Sequence, residues 1–292
     1  MMKKSLAVLS AAFLLHGIAQ ASSADTDSAG TQAGTWAAQA QLGFLMTNAN
    51  TSTKSGNASF AVAHKMGRWT LSAAAAALYA STGQYTTQQD TNAHVQADLE
   101  LSPRTFWFSS ARWDRNLFSG FVFQESVATG AGFKFVQSRA TLLAGELGIG
   151  FRREQPESLT LGTIGNVILP RVRQPVVNDA VVQAGLNYSH SITHSTKLVN
   201  TLLVQYGSSD TTTTDNLSVQ VKVDASLSLA VGMQLVNNTN PPAATVSSAP
   251  GAVSGVHHTD TVLTVNLVYA LHNPKLSPTA GTPVTVNGFN LP

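Results

Sequence analysis

Long rows of alternating apolar and polar residues limit what this chain can fold into more than any other feature. In 92–102, Ala93, Val95, Ala97, Leu99 and Leu101 alternate with His94, Gln96, Asp98, Glu100 and Ser102. In 215–223, Leu217, Val219, Val221 and Val223 stand against Ser218, Gln220 and Lys222, and Asp224 follows on the same parity. Segments 225–237 and 258–271 repeat the pattern through Leu227 to Leu235 and Leu263 to Leu271. Successive side chains of a strand point to opposite faces, so each row describes a strand with one apolar and one polar side. The same reading places twelve strands, near 36–46, 57–66, 68–79, 92–102, 104–115, 120–135, 139–152, 177–189, 194–206, 215–223, 225–237 and 258–271. Their lengths suit tilted membrane strands of roughly 9–11 residues or somewhat more.

A soluble β-sandwich also alternates, but its apolar rows hide in a core and its strands are usually shorter. The connections favour a membrane barrel. Longer ones fall near 47–56, 80–91, 153–176, 207–214 and 238–257, and tight turns lie between them at 65–68, 101–104, 135–138 and 223–225. Outer-membrane barrels have short periplasmic turns and longer outer loops. The connection at 116–120 departs from this rule, being short where a long one is due. Trp36, Trp69, Trp107, Trp113, Tyr79, Tyr188, Tyr206 and Tyr269 fall mostly near strand ends, where interfacial girdles place aromatic rings. The expected fold class is all-β: a transmembrane antiparallel up-and-down barrel of about twelve strands.

Composition agrees. Charged residues are 11% of the chain, against roughly 25% in soluble domains. The hydrophobic share is 43% and the mean hydropathy +0.05, as expected when lipid-facing and lumen-facing residues alternate. After the N-terminus no run of apolar residues is long enough for a membrane helix. The chain has no cysteine, which excludes disulfides, thiolate metal sites and thiol nucleophiles. A closed barrel compensates with a continuous backbone ladder that no water competes for.

The N-terminus reads as a secretory signal. Lys3 and Lys4 precede a short apolar stretch from Leu6 to Ile18, and Ala19-Gln20-Ala21 gives a small-x-small cleavage pattern. Cleavage is expected after Ala21 or Ala24. Residues 22–35 form a flexible leader, 36–272 the barrel and 273–292 a tail containing Pro274, Pro278, Pro283 and Pro292. Losing Lys3 and Lys4 leaves 15 basic against 15 acidic residues, so the mature chain carries no basic surplus for nucleic acid.

Some rows leave their faces open. In 104–115, Phe106 and Phe108 alternate with Trp107, and either set could face lipid. In 194–206, Asn200 shares its parity with Leu198 and Leu202. A bulge would shift the parity of a strand, and periodicity alone does not locate one. The alanine run 73–77 has helical propensity, but its neighbours Trp69, Leu71, Leu78 and Tyr79 fit a small-residue strand.

Several stretches, taken in order, carry a resemblance. They are Ala111-Arg112-Trp113-Asp114-Arg115-Asn116-Leu117-Phe118-Ser119-Gly120, Gly130-Ala131-Gly132-Phe133, Glu146-Leu147-Gly148-Ile149-Gly150-Phe151-Arg152, Val199-Asn200-Thr201-Leu202-Leu203-Val204, Thr259-Asp260-Thr261 and Leu267-Val268-Tyr269. The set resembles domain-of-unknown-function family 481, also labelled putative salt-induced outer-membrane proteins, over roughly residues 34 to 272. The resemblance implies an outer-membrane barrel without an established reaction, with the bilayer and the barrel-assembly machinery as partners. Such barrels commonly end on a terminal aromatic. Here the tail follows Tyr269 and Leu271, and it either hangs in the periplasm or folds into the lumen.

Catalytic chemistry finds little footing. His190-Ser191 and His194-Ser195 stand near an expected turn, but a Ser–His dyad needs contact and an orienting acid. The nearest acid, Asp179, belongs at the far end of its strand. His257-His258 lie beside Asp260, yet neighbouring strand residues point oppositely and do not share one ion easily. Gly130-x-Gly132 and the 145–150 glycines lack a following helix, so they are not phosphate loops. No catalytic residue, metal or cofactor is expected.

The polar parity instead selects candidate lumen-lining residues: Lys65, Arg68, His94, Asp98, Glu100, Lys134, Glu146, Arg152, Lys222 and Asp224, and the family-like segments add Arg112 and Asp114. Both signs of charge are present, which suits internal ion pairs as well as a channel. Small residues on the same faces, among them Ala61, Ala63, Ala74, Gly130, Gly132, Gly148 and Gly150, would leave room for water in a twelve-stranded barrel. Two functions follow: a narrow channel or passive porin for small polar solutes, tied to salt stress by resemblance alone, or a closed structural or adhesive barrel acting through its outer loops.

Overall fold

Alternation becomes a closed wall in the computed structural model. Residues 35–47, 53–83, 85–117, 119–158, 172–242 and 258–271 are described, with isolated strand pairs at 160–161, 163–164, 167–168, 245–246, 285–286 and 289–290. The expected signal peptide, the leader up to residue 34 and most of the tail lie outside the described residues.

Twelve long strands form the barrel: β1 (Thr35–Thr47), β2 (Thr53–Met66), β3 (Trp69–Thr82), β4 (Tyr85–Glu100), β5 (Thr105–Asn116), β6 (Phe121–Gln137), β7 (Thr141–Ser158), β8 (Val177–Ser191), β9 (Thr196–Gly207), β10 (Thr211–Lys222), β11 (Leu227–Asn238) and β12 (Thr259–Leu271). Each pairs antiparallel with its sequence neighbours, and β12 returns to β1 in the register Leu267↔Leu42 to Leu271↔Ala38. Closure leaves no unpaired edge, one of the two ways a backbone can cross a bilayer. Val172–Arg173 adds a short strand to the end of β7.

The even strand number places both ends of the barrel on one rim, the periplasmic rim by the rule for such barrels. Tight hairpins close that rim. Gly67, between β2 and β3, has φ 58°, a conformation that glycine adopts without a Cβ clash. Hydroxyls pin three other turns. Ser102 Oγ accepts from the backbone N–H of Thr105 at 3.0 Å, Ser138 Oγ from Thr141 at 2.9 Å and Thr193 Oγ1 from Thr196 at 3.0 Å.

The opposite rim differs from the sequence reading. β3 runs to Thr82 and β4 begins at Tyr85, so the expected loop 80–91 is a tight hairpin. β10 begins at Thr211, reducing the expected 207–214 loop to Ser208–Asp210. Long connections remain between β7 and β8 and between β11 and β12. Strand ends that stand above the bilayer are wet on both faces, so they lose apolar alternation and read as loops. The short connection after β5 is therefore ordinary for this rim.

Outward side chains form an apolar belt. Phe44, Leu147, Ile149, Leu263 and Val265 are more than half exposed on it. Trp36 stacks on His64 with ring centroids 3.9 Å apart near the periplasmic rim, and Tyr79 and Tyr206 stand near the other. An apolar outer wall on a closed antiparallel barrel places the protein in the bacterial outer membrane.

The ambiguous faces are settled. Phe106 and Phe108 are buried inside, and Trp107 faces out with its indole N–H donating to Thr129 Oγ1 at 2.9 Å. Val199 and Thr201 point inward, so Asn200 lies on the outer wall, where its Nδ2 donates to Asp215 Oδ1 at 2.6 Å. Register shifts occur at Ala80/Ser81, Phe121/Phe123 and Lys134/Val136.

Candidate functional site: the barrel lumen

The inward rows converge on a cavity of about 240 Å³ in the outer half of the barrel, lined among others by Gln41, Asp90, Arg112, Asp114, Arg152 and Asn266. Beneath it a space of about 60 Å³ is bordered by His94, Gln96, Glu146, Gln183 and Asn187. Amides, hydroxyls and charged groups stand on these walls among alanine and aliphatic side chains. The amides and hydroxyls can replace a solute's water contacts, and the charged groups among them set the field.

Packing explains where side chains fill the barrel. Phe106 and Phe108 come from β5 and lie flat across β6 and β7 instead of crossing the lumen. They can do so because Gly132 and Gly148 present no side chain: a Cβ on Gly148 would stand 2.8 Å from the Phe108 ring, and one on Gly132 would enter the Phe106 ring. Part of the space these glycines leave is thus filled by aromatic rings. Across the barrel, Ala61, Ala63 and Ala74 pack as a small buried cluster.

The seam between β12 and β2 is tied over β1. Asn57 Nδ2 donates to Asn266 Oδ1 at 2.7 Å, and Asn266 Nδ2 donates to Gln41 Oε1 at 3.2 Å. Both amides lie over Gly43, where a Cβ would strike the two oxygens.

Charged side chains sort into three groups. Near the periplasmic rim, Glu100 bridges Lys65 and buried Lys134, each at 3.4 Å. Arg68 is exposed on the adjacent turn, donating to the Glu100 carbonyl at 2.7 Å and the Leu101 carbonyl at 3.1 Å. It staples two turns together and stands at the rim, outside the lumen proper. Lys222 and Asp224 are also exposed at this rim.

Midway, Gln96 Nε2 joins Asp98 at 2.9 Å and Glu146 at 3.1 Å, connecting β4 to β7 across the interior. His94 is buried and pairs in register with Arg112. Asp114 follows on the same face of β5, beside Asn92.

In the outer half, Arg152 is 2% exposed. Its guanidinium faces Glu154 at 3.4 Å, Asp179 at 3.8 Å and Asp210, and it donates to Thr212 Oγ1 at 3.1 Å. Asp179 in turn accepts from Ser208 Oγ at 2.6 Å and from the Ser209 backbone N–H at 3.1 Å. Asn238 Nδ2 donates to Asp210 at 2.6 Å. The short β9–β10 connection is thereby folded inward and latched to β7, β8 and β11.

Sequence reasoning did not select Asp90, Glu154, Asp179 or Asp210 for the lumen. Asp90 would have followed from extending the β4 row, since it shares parity with Asn92 and His94. Asp210 lies in a connection, where parity gives no signal.

The histidines considered for catalysis take other roles. His190 Nδ1 is 2.8 Å from Thr141 Oγ1 on the outer wall, and its ring stacks at 8° on Tyr188. His258 Nδ1 contacts the Asn238 carbonyl at 3.1 Å. Among the described residues, no group of three or more histidines and carboxylates is arranged to hold a metal.

Comparison with known proteins adds the following. No curated protein matches the chain. Among solved structures, the COG4313 outer membrane channel from Pseudomonas putida F1 is similar at 10% identity and TM-score 0.44, over 85% of this chain and 100% of that one. The NanC porin is similar at 7% identity and TM-score 0.41, over 79% of this chain and 98% of that one. An anion-selective porin from Comamonas acidovorans is similar at 8% identity and TM-score 0.35, over 82% and 99%. The fold assignment itself rests on the strand pairings above. The family model described as "Protein of unknown function, DUF481" matches residues 40–271, most of the chain, and the protein belongs to that family.

Proposed function

We propose that the protein is a narrow passive channel for small polar solutes across the outer membrane, exported by a signal peptide cleaved after Ala21 or Ala24 and inserted by the barrel-assembly machinery. The observation that carries this reading is the polar cavity of about 240 Å³ within a closed barrel. A lumen built only for structure would be filled by side chains, as the Phe106 and Phe108 region is. Candidate lumen residues Arg112, Asp114, Glu146 and Arg152 then set what passes. A part in salt or osmotic stress belongs to the same proposal through the family resemblance.

A second reading has one observation in its favour. Buried Lys134 with its partner Glu100 and the two Phe rings narrow the periplasmic half, as a closed structural or adhesive barrel would require. Single-channel recording of the refolded protein in planar bilayers separates the two. Defined current steps support the channel, and a silent barrel that passes heat-modifiable gel mobility supports the closed form.

A further inference from the structure

Charge is sorted across the outer half of the barrel wall. Among the described residues, Asp90, Asp114, Glu154, Asp179, Asp210 and Asp260 face inward there, against Arg112 and Arg152. Arg152 is surrounded by three of those carboxylates, so it cannot offset the rest. Asp90 and Asp114 are diagonal neighbours on the lumen faces of β4 and β5, since Asp90 pairs with Asn116 and Asn92 with Asp114. Asp260 borders the same cavity from β12. Three further cations of this rim stand on the opposite parity. Lys54 and Arg115 are exposed on the outer wall, and Arg153 faces out, 3.7 Å from Glu125 and over the Phe123 ring. The mature sequence has equal numbers of basic and acidic residues. The inward excess of acid therefore arises from placement, not from composition.

Resting on the channel reading, we infer that the lumen selects for cations, so that small cationic solutes and metal cations pass in preference to anions. A low-dielectric wall lined by one sign of charge focuses the field and raises the local concentration of counter-ions. Rings of Asp and Glu serve cation channels in this way. The periplasmic half opposes it little, because Glu100, Asp98 and Glu146 there balance Lys65, Lys134 and Lys197, the last on the inward parity of Val199 and Thr201.

The test uses the full mature chain, refolded into neutral phosphatidylcholine bilayers under a potassium chloride gradient. The reversal potential should report potassium as about three- to tenfold more permeant than chloride. Replacing Asp90→Asn with Asp114→Asn should bring that ratio close to one, and Asp260→Asn should lower it partway. Asp215→Asn, on the outer wall, should leave it unchanged. Chloride preference in the wild type, or an unaltered ratio in the lumen variants, overturns the inference while leaving the channel intact. Absence of any current overturns the channel reading, and this inference with it.

Discussion

Arg152 shows how a single side chain holds the outer mouth. Removing one partner of a buried ion pair leaves charges without compensation and costs about 3–5 kcal/mol. Arg152→Met leaves Glu154, Asp179 and Asp210 facing one another, so it should lower the urea midpoint of the folded barrel in micelles. Adding Asp210→Asn should recover part of the loss, because one uncompensated carboxylate is gone. A midpoint unmoved by Arg152→Met would show that the latch contributes nothing. Gly132 makes a second residue-scale case. Gly132→Val drives a side chain into the Phe106 ring, an overpacking that costs about 1–3 kcal/mol. Paired with Phe106→Ala, the two changes should be less harmful than their sum. Additive losses would mean that the ring does not depend on the glycine.

At the scale of elements, the account depends on which face of each strand meets lipid. A register slip of one residue would exchange the faces. β12 offers a direct check, since Leu263, Val265 and Leu267 face out while Thr264 and Asn266 face in. The protein has no cysteine of its own, so each introduced thiol reports alone. Spin labels at 263, 265 and 267 should collide with dissolved oxygen in the bilayer, and one at 264 with a water-soluble nickel chelate. A reversed pattern would refute the assignment. Much of this was legible beforehand: alternation placed β11 and β12 within two residues, and placed β4 and β10 except for their outer ends, which begin seven and four residues earlier than the rows suggest. The rows failed where the environment stopped alternating. Thr211 to Thr214 and residues 80–91 read as loops because the strand ends above the bilayer meet water on both sides. The faces of β5 and β9 stayed open because Phe106, Trp107 and Phe108 are all apolar, and Asn200 is a polar residue on the lipid wall held by Asp215. The latch was illegible for another reason: Arg152, Asp179 and Asp210 meet through strand pairing that a local pattern does not encode.

For the whole molecule, the arrangement has three levels: a periplasmic half narrowed by Phe106, Phe108 and Lys134, a polar cavity above it, and an outer mouth latched by Arg152. The tail is the remaining element, and Thr285–Val286 pairs there with Phe289–Asn290. If it enters the lumen, the barrel without residues 273–292 should conduct more than the full mature chain. The most direct test of the channel is therefore single-channel conductance of both forms in planar bilayers, each first shown to be folded by heat-modifiable mobility. The account predicts discrete current steps from the full mature chain. Two folded barrels that stay silent would contradict it and leave a closed structural barrel in its place.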